Sequence, residues 1–519
     1  MILKTKALLL VCLGICALVV LTSCSGWGQN LPVSSPAPGG FDSPTAAPAT
    51  IPVEPLPTAV ISSETLPSTS TSVPDPTRQT TNPRIQYQID AQLDYASRRV
   101  EVTQKVLIPH PADHPLDELV LIIPPRAWPQ AFTFDEFAWG DGEPVDEYDL
   151  QGVKLTIPLD EYWVPGETRQ LSMSYTLELP VQNAREGYGP SPFGYTQLQT
   201  NLVDWYPLVP PYREDAGWVA HEPWIFGEYL VYPAADYEVG LQIINSPELV
   251  VAASGKELTG TSTRRYHLED ARNFVFSISP DYQVLAEEVG GTTVLGYIFP
   301  SYQDSGKAAF QTTVEALELY RELYGPYHQE TLSMVQADFN HGMEYEGLYF
   351  QSRGFFDTYN GTEKNFLTII AAHETAHQWW YGQVANDQAL EPWLDEALCT
   401  FSELVYYENY YPEAVEWWWA VRVNYYQPEG AIDRSIYDFT GPGDNYLNYR
   451  DATYLQGVKF IVRLRETLGE TRFYAFLQDY LVSYENQVAS GEDFFRLLDG
   501  YLEEDPGWLG EYFSREGEP

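Results

Sequence analysis

The residues best suited to chemistry stand at 373–396: His373-Glu374-Thr375-Ala376-His377, then eighteen residues, then Glu396. Histidines four apart share one face of a helix, so His373 and His377 can hold one metal ion. Glu374 lies one residue round, within reach of a water at the metal without being a ligand. Glu396 sits in Pro392-Trp393-Leu394-Asp395-Glu396-Ala397, which starts a second helix and can return a carboxylate to the same ion. Two imidazoles, one carboxylate and one open position describe a catalytic zinc site with one ion per chain; a closed four-ligand site would be structural. Zinc follows from ligand type alone, and cobalt or manganese suit the same donors. The competing reading is a helix with two unrelated histidines among the eight in the chain, which the helical context and Glu396 oppose.

Three more segments stand beside this motif. Gly342-Met343-Glu344-Tyr345 lies about thirty residues upstream and resembles a Gly-Ala-Met-Glu-Asn exopeptidase motif. Tyr454-Leu455-Gln456-Gly457 resembles a Tyr-x-x-Gly helix start, and Thr196-Gln197-Leu198-Gln199 a substrate-amine segment. With these motifs, residues 84 to 519 resemble the gluzincin zinc aminopeptidases of the alanyl aminopeptidase and leukotriene hydrolase type. The resemblance implies hydrolysis by metal-activated water, with Glu374 as general base and then acid. It implies that Tyr454 donates to the tetrahedral oxyanion. It further implies that Glu344 binds the α-ammonium of peptides with a free N-terminus, so that only the first residue is removed. Gln199 would add a neutral hydrogen bond to the same amine.

Each role has a plainer alternative. Glu344 also reads as a solvated loop carboxylate, and Gln199 as an ordinary strand residue. Tyr454 also reads as a packing residue, with Tyr449 its nearest rival. Glu403, two turns beyond Glu396 on the same face, is either the acceptor that fixes a ligand imidazole or a surface glutamate. Trp417-Trp418-Trp419 line a groove or belong to the core. Tyr345, Asp395, Ala397 and Gln456 depart from the family pattern without removing a ligand or the base. The alternatives for the whole chain are a zinc endopeptidase of the same class and a cell-surface binding protein with a vestigial metal site.

Two kinds of element must position these residues. From 84 to 294 the pattern has period two, as in Ile85, Tyr87, Ile89, Ala91 and Leu93, in Leu171, Met173 and Tyr175, and in Tyr237, Val239, Leu241 and Ile243. That alternation predicts a mostly antiparallel β domain. From 295 to 519 the period becomes helical. Helices are predicted from about 305 to 325, 363 to 381, 392 to 407, 454 to 468, 470 to 484 and 492 to 502, with a strand at 331–336. The fold class is therefore multidomain α+β: an N-terminal antiparallel β domain, then a thermolysin-like, mainly helical catalytic domain. The large helical C-terminal domain of many relatives has no counterpart, which predicts a more open cleft.

The remaining features concern location and partners. The formal charge of −44 disfavours nucleic acid, whose phosphates demand a basic face. Residues 1–24 have a basic start and a short apolar run, as in a signal peptide. Their end, Leu21-Thr22-Ser23-Cys24, resembles a bacterial lipobox, which implies export and attachment to a membrane through lipid on Cys24. Residues 25–83, rich in Pro, Ser and Thr, predict a disordered tether. The four cysteines are Cys12, Cys16, Cys24 and Cys399, so the body of the chain holds no disulfide framework. Cys399 reads as a small buried hydrophobe better than as a ligand.

Overall fold

The period-two stretches form strands. The computed structural model describes residues 84–182, 191–246, 248–258, 263–340, 342–440, 445–504 and 506–514. The expectations for residues 1–83, Cys24 among them, lie outside the described residues. Strand Ile85–Asp94 buries Tyr87, Ile89, Ala91 and Leu93 on one face. Successive side chains of a strand point to opposite faces, so an alternating sequence turns one face inward. The sheet has seven strands in the order Lys256–Leu258, Arg264–Ala271, Ala235–Ile244, Ile85–Asp94, Arg99–Pro109, Thr168–Glu178 and Phe132–Trp139. Its pairs are antiparallel except Ile85–Asp94 with Ala235–Ile244, which run parallel. Smaller sheets of three and four strands join it.

A five-stranded sheet opens the helical part. Its order is Gln283–Val289, Thr292–Ile298, Thr331–Gln336, Leu348–Gln351 and Met343–Tyr345. It starts upstream of the boundary expected at 294. Met343–Tyr345 is the edge strand, so Glu344 sits on backbone with one unpaired side.

The longer helices are α1 (Gln303–Leu323), α2 (Phe366–Ala376), α3 (Trp393–Tyr410), α4 (Gly457–Leu468), α5 (Glu470–Ser483) and α6 (Gly491–Asp499). α2 is shorter than the predicted 363–381. Asn365 caps it by accepting from the Thr368 N–H at 2.9 Å. The chain leaves the helix at His377, where Trp379 and Trp380 turn into the core and Trp380 bridges Val384. α3 follows Pro392, a residue suited to a helix start, and buries every residue from Trp393 to Tyr407. It is therefore a central helix, and the charged groups on it need partners. Tyr320 of α1 donates to the carbonyls of Ala372 and Ser402, which ties α2 and α3 to one support. α4 begins at Gly457, where a Cβ would stand 2.6 Å from that of Ala397. Without one, α4 closes on α3 beside Glu396. Tyr454 precedes α4 in a π-helical turn, Asp451–Gln456, and not in α4 as predicted.

Arg272, just past strand Arg264–Ala271, fixes the β region to the helical one. It is fully buried, and its guanidinium donates to the carbonyls of Gly382, Gln383, Asn486 and Gln487 at 2.9 to 3.3 Å. A fifth bond goes to the Tyr232 carbonyl at 3.4 Å. Arg272→Met would keep the stem but strand these buried acceptors. It should lower unfolding stability by about 3 kcal/mol or more in denaturant titration. An unchanged midpoint would show that the carbonyls find other partners.

Candidate metal centre

α2 and α3 carry the three expected donors to one point. His373 Nε2 lies 3.0 Å from Glu396 Oε2 and 3.2 Å from His377 Nε2, and His377 Nε2 lies 3.7 Å from Glu396 Oε2. All three side chains are buried. The other ring nitrogens have acceptors: His373 Nδ1 faces Glu403 Oε1 at 2.8 Å, and His377 Nδ1 faces the Trp380 carbonyl at 3.1 Å. Those partners place a proton on each Nδ1 and leave both Nε2 lone pairs facing the carboxylate. Three acceptors facing one another call for a cation. Donors about 2.0–2.1 Å from a tetrahedral zinc stand roughly 3.3 Å apart, which the observed triangle matches.

The electrostatics point the same way. Burial opposes charge on His373, but its bonds to Glu396 and Glu403 push it up to about 10. The carboxylates would hold a proton there, and a metal ion displaces such protons. Burial takes His377 down to about 4, so it stays neutral. Burial would raise Glu403, but Arg422 and His373 hold it below the usual carboxylate range. Arg422 grips Glu403 with two bonds at 2.8 and 2.9 Å, and Trp418 Nε1 adds a third at 3.2 Å. Glu403 is thus a buried acceptor, not a surface glutamate. Trp418 belongs to the core, and none of the three tryptophans lines the cavity.

A cavity of about 360 Å³ includes His373, His377 and Glu396 in its lining, together with Glu374, Glu344 and Tyr454. Glu374 is buried, and its Oε2 has no partner among the described residues. Burial pushes its carboxyl up to about 8 against the charge of His373. Tyr454 donates to Glu396 Oε1 at 2.5 Å, and its ring stacks on that of His373. Burial pushes its hydroxyl well above the usual range, so it remains a proton donor. Glu344 is buried, not solvated, with one carboxylate oxygen within 4.8 Å of the donor atoms of His377 and Glu396. Gln388 donates to Glu344 Oε1 at 2.8 Å and to Asp395 Oδ2 at 2.7 Å, which orients both.

One residue falls elsewhere. Gln199 does not line the cavity. Its Nε2 donates to Ser277 Oγ, Tyr282 Oη and the Gln336 carbonyl, and its Oε1 accepts from Asp338 N–H. Fully buried and fully bonded, Gln199 ties strand Thr331–Gln336 to the β region and has nothing left for a substrate. Cys399 Sγ lies within 4.8 Å of one ring nitrogen of each histidine. Burial and then Glu396 push its pKa well up, so it stays a thiol.

Sequence reading missed Arg422, Gln388 and Glu228. The first two had no local signal. Glu228 did: it is the lone acid in the run 224–232, Trp-Ile-Phe-Gly-Glu-Tyr-Leu-Val-Tyr. Tyr449, raised only as the rival of Tyr454, also lines the cavity, with a buried hydroxyl lacking a partner among the described residues.

The role of Glu403 is open to test. Replacing it by Gln removes the charge that orients the His373 ring and leaves Arg422 without its counter-ion. Zinc affinity, measured by competition with a chelator, should fall ten- to a hundredfold. Unchanged affinity would make Glu403 a packing residue only.

Comparison with known proteins agrees with this geometry. Residues 308–509 match the model of the peptidase family M1 domain. The chain is similar to aminopeptidase M1-D of Oryza sativa subsp. japonica, 28% identical over 223 residues, which are 40% of this chain and 25% of that protein. It thus spans about a quarter of the length of that relative. The fold is similar to that of a mutant M1 zinc metallopeptidase from Deinococcus radiodurans, with a TM-score of 0.58 and 16% identity, covering 84% of this chain and 96% of that one. A crystal structure of a mutant of the same enzyme bound to a Tyr-Ser-Ala substrate has a TM-score of 0.56, 16% identity and the same coverage. The helical region of the chain is thus similar to the peptidase family M1 domain, and a β-sheet domain stands ahead of it.

Proposed function

We propose that the protein is a zinc aminopeptidase that removes N-terminal residues from peptides. The observation that carries this reading is the buried carboxylate of Glu344 within 4.8 Å of the His377 and Glu396 donors. The α-amine and first carbonyl of a peptide are separated by a single carbon. An amine paired with Glu344 therefore leaves only the first peptide bond near the three donors. The substrate class is consistent with the Deinococcus enzyme, which binds Tyr-Ser-Ala.

His373, His377 and Glu396 would hold the ion. A bound zinc supplies an acidified water and polarises the scissile carbonyl. Glu374, with an oxygen free of other partners, takes the proton of the attacking water and returns it to the leaving amine. Tyr454 donates its proton to the oxygen on which charge develops. Glu344 binds the ammonium and fixes register, as a charge-assisted pair. Glu403, held by Arg422, keeps the His373 ring in its orientation.

Amino-acid nitroanilides, free and N-acetylated, test the reading together with Glu374→Gln. The free substrates should be cleaved and the acetylated ones spared. The variant should keep its zinc and lose roughly three orders of magnitude or more in turnover. Equal cleavage of the blocked substrates would instead indicate an endopeptidase. Near-normal turnover would remove Glu374 from its role.

A further inference from the structure

Besides the two ligand histidines, the cavity is lined by two basic side chains, Arg422 and Arg450. Arg422 is spent: its fork holds both oxygens of Glu403. Arg450 has no role in the chemistry described so far. It ends a short helix, Tyr446–Arg450, which Asn445 caps by accepting from the Leu447 N–H at 2.8 Å. That helix runs straight into the π-helical turn that carries Tyr454.

The guanidinium of Arg450 is held in place but not used up. Its Cζ lies 3.8 Å over the ring of Tyr426, which also lines the cavity. Nε donates to Asp451 Oδ1 at 2.9 Å, and Nη2 donates to the same oxygen. A guanidinium has five N–H donors in one plane, and the Nη1 side has no partner among the described residues. The side chain is only 13% exposed, so water serves those donors poorly. A planar fork braced by an aromatic face and one carboxylate oxygen suits a second, bidentate carboxylate.

The surroundings make this group selective. The acids lining the cavity are Glu228, Glu344, Glu374 and Glu396, and the whole chain carries a formal charge of −44. A substrate carboxylate is repelled by all of these and attracted at Arg450. Position fits as well. Arg450 stands four residues before Tyr454, and such pairs share a helical face with Cβ atoms about 5–6 Å apart. An extended peptide advances roughly 3.3–3.6 Å per residue. A peptide whose reacting carbonyl meets Tyr454 therefore brings its second or third residue near Arg450.

We propose that Arg450 binds a substrate carboxylate that lies beyond the scissile bond. This rests on the aminopeptidase reading and adds a substrate class to it: short peptides whose free C-terminus reaches the guanidinium. An acidic side chain at the second or third position offers the same group. Arg450 acts by binding, with Tyr426 and Asp451 as its braces, and takes no part in proton transfer.

The test compares Leu-Gly-Gly with Leu-Gly-Gly amide, and the latter with Leu-Glu-Gly amide, in the wild type, Arg450→Met and Arg450→Lys. Zinc content and melting temperature are followed alongside. The wild type should prefer the free acid to its amide by roughly tenfold or more in kcat/KM. Arg450→Met should bring that ratio close to one. Arg450→Lys, which keeps the charge and loses the fork, should keep part of it, and it serves if the Met variant does not fold. A preference for Leu-Glu-Gly amide over Leu-Gly-Gly amide, lost in Arg450→Met, would support the site with a side chain as its ligand. Ratios near one for both pairs in the wild type, or a ratio unchanged in a folded, zinc-loaded Arg450→Met, would overturn the proposal. So would a preference for glutamate p-nitroanilide over leucine p-nitroanilide that Arg450→Met abolishes, since that carboxylate lies before the bond. Leucine p-nitroanilide, free and N-acetylated, has no carboxylate and reads the aminopeptidase activity separately. If the free form alone is cleaved while acid and amide peptides are cleaved alike, this inference fails and the aminopeptidase reading stands.

Discussion

Negative charge held out of water is the constraint around which this protein is arranged. α3 is buried along the whole run from Trp393 to Tyr407, and it carries Asp395, Glu396 and Glu403 into the core. A buried carboxylate without partners costs several kcal/mol. Each of the three therefore has dedicated ones. Asn386 and Gln388 donate to Asp395, Tyr454 and His373 meet Glu396, and Arg422, Trp418 and His373 meet Glu403. Glu374 and Glu228 each keep one oxygen without a partner among the described residues. Arg422 is the cation that answers Glu403 directly; in the proposed function a zinc ion would answer Glu396.

The centre draws on both regions of the chain. The M1 match begins at residue 308, yet Glu228 and Arg272 lie upstream of it. Arg272 collects carbonyls from the turn after α2 and from residues 486–487. Gln199 does the same for the end of strand Thr331–Gln336 and for Asp338. Both are polar groups buried at the junction and satisfied across it, so each specifies one docking of the two regions. The stretch with Phe226, Gly227 and Glu228 then reaches the cavity from the β side. A helical part alone would keep the metal donors and lose Glu228 from the cavity wall.

What was legible in the sequence follows from periodicity and from spacing within single elements. The strand Thr331–Gln336 and the buried faces of Ile85–Asp94 and Ala235–Ile244 were readable because alternation and burial are local properties. The ligands were readable because two histidines on one helical turn and a carboxylate opening the next helix bind one ion almost wherever the helices cross. The end of α2 at His377 was not, because tertiary burial of Trp379 and Trp380 ends the helix and not a glycine or proline. The π-helical turn at Tyr454 escaped for the same reason: its extra residue has no sequence mark. Gln199 was misplaced because motif matching does not show where a side chain's other hydrogen bonds go. Glu228 was passed over although it is an isolated acid within an apolar run, because no local pattern shows that this run reaches the cavity.

In the proposed function His373, His377 and Glu396 hold one zinc ion. X-ray absorption at the zinc edge of the zinc-loaded protein tests it most directly, together with metal analysis. One zinc per chain is expected, with nitrogen and oxygen donors at about 2.0–2.1 Å and an imidazole pattern from two rings. A sulfur donor at about 2.3 Å would place Cys399 in the ligand set, and substoichiometric zinc would leave the buried charge without its proposed counter-ion. Either result would rule out a zinc site formed by His373, His377 and Glu396.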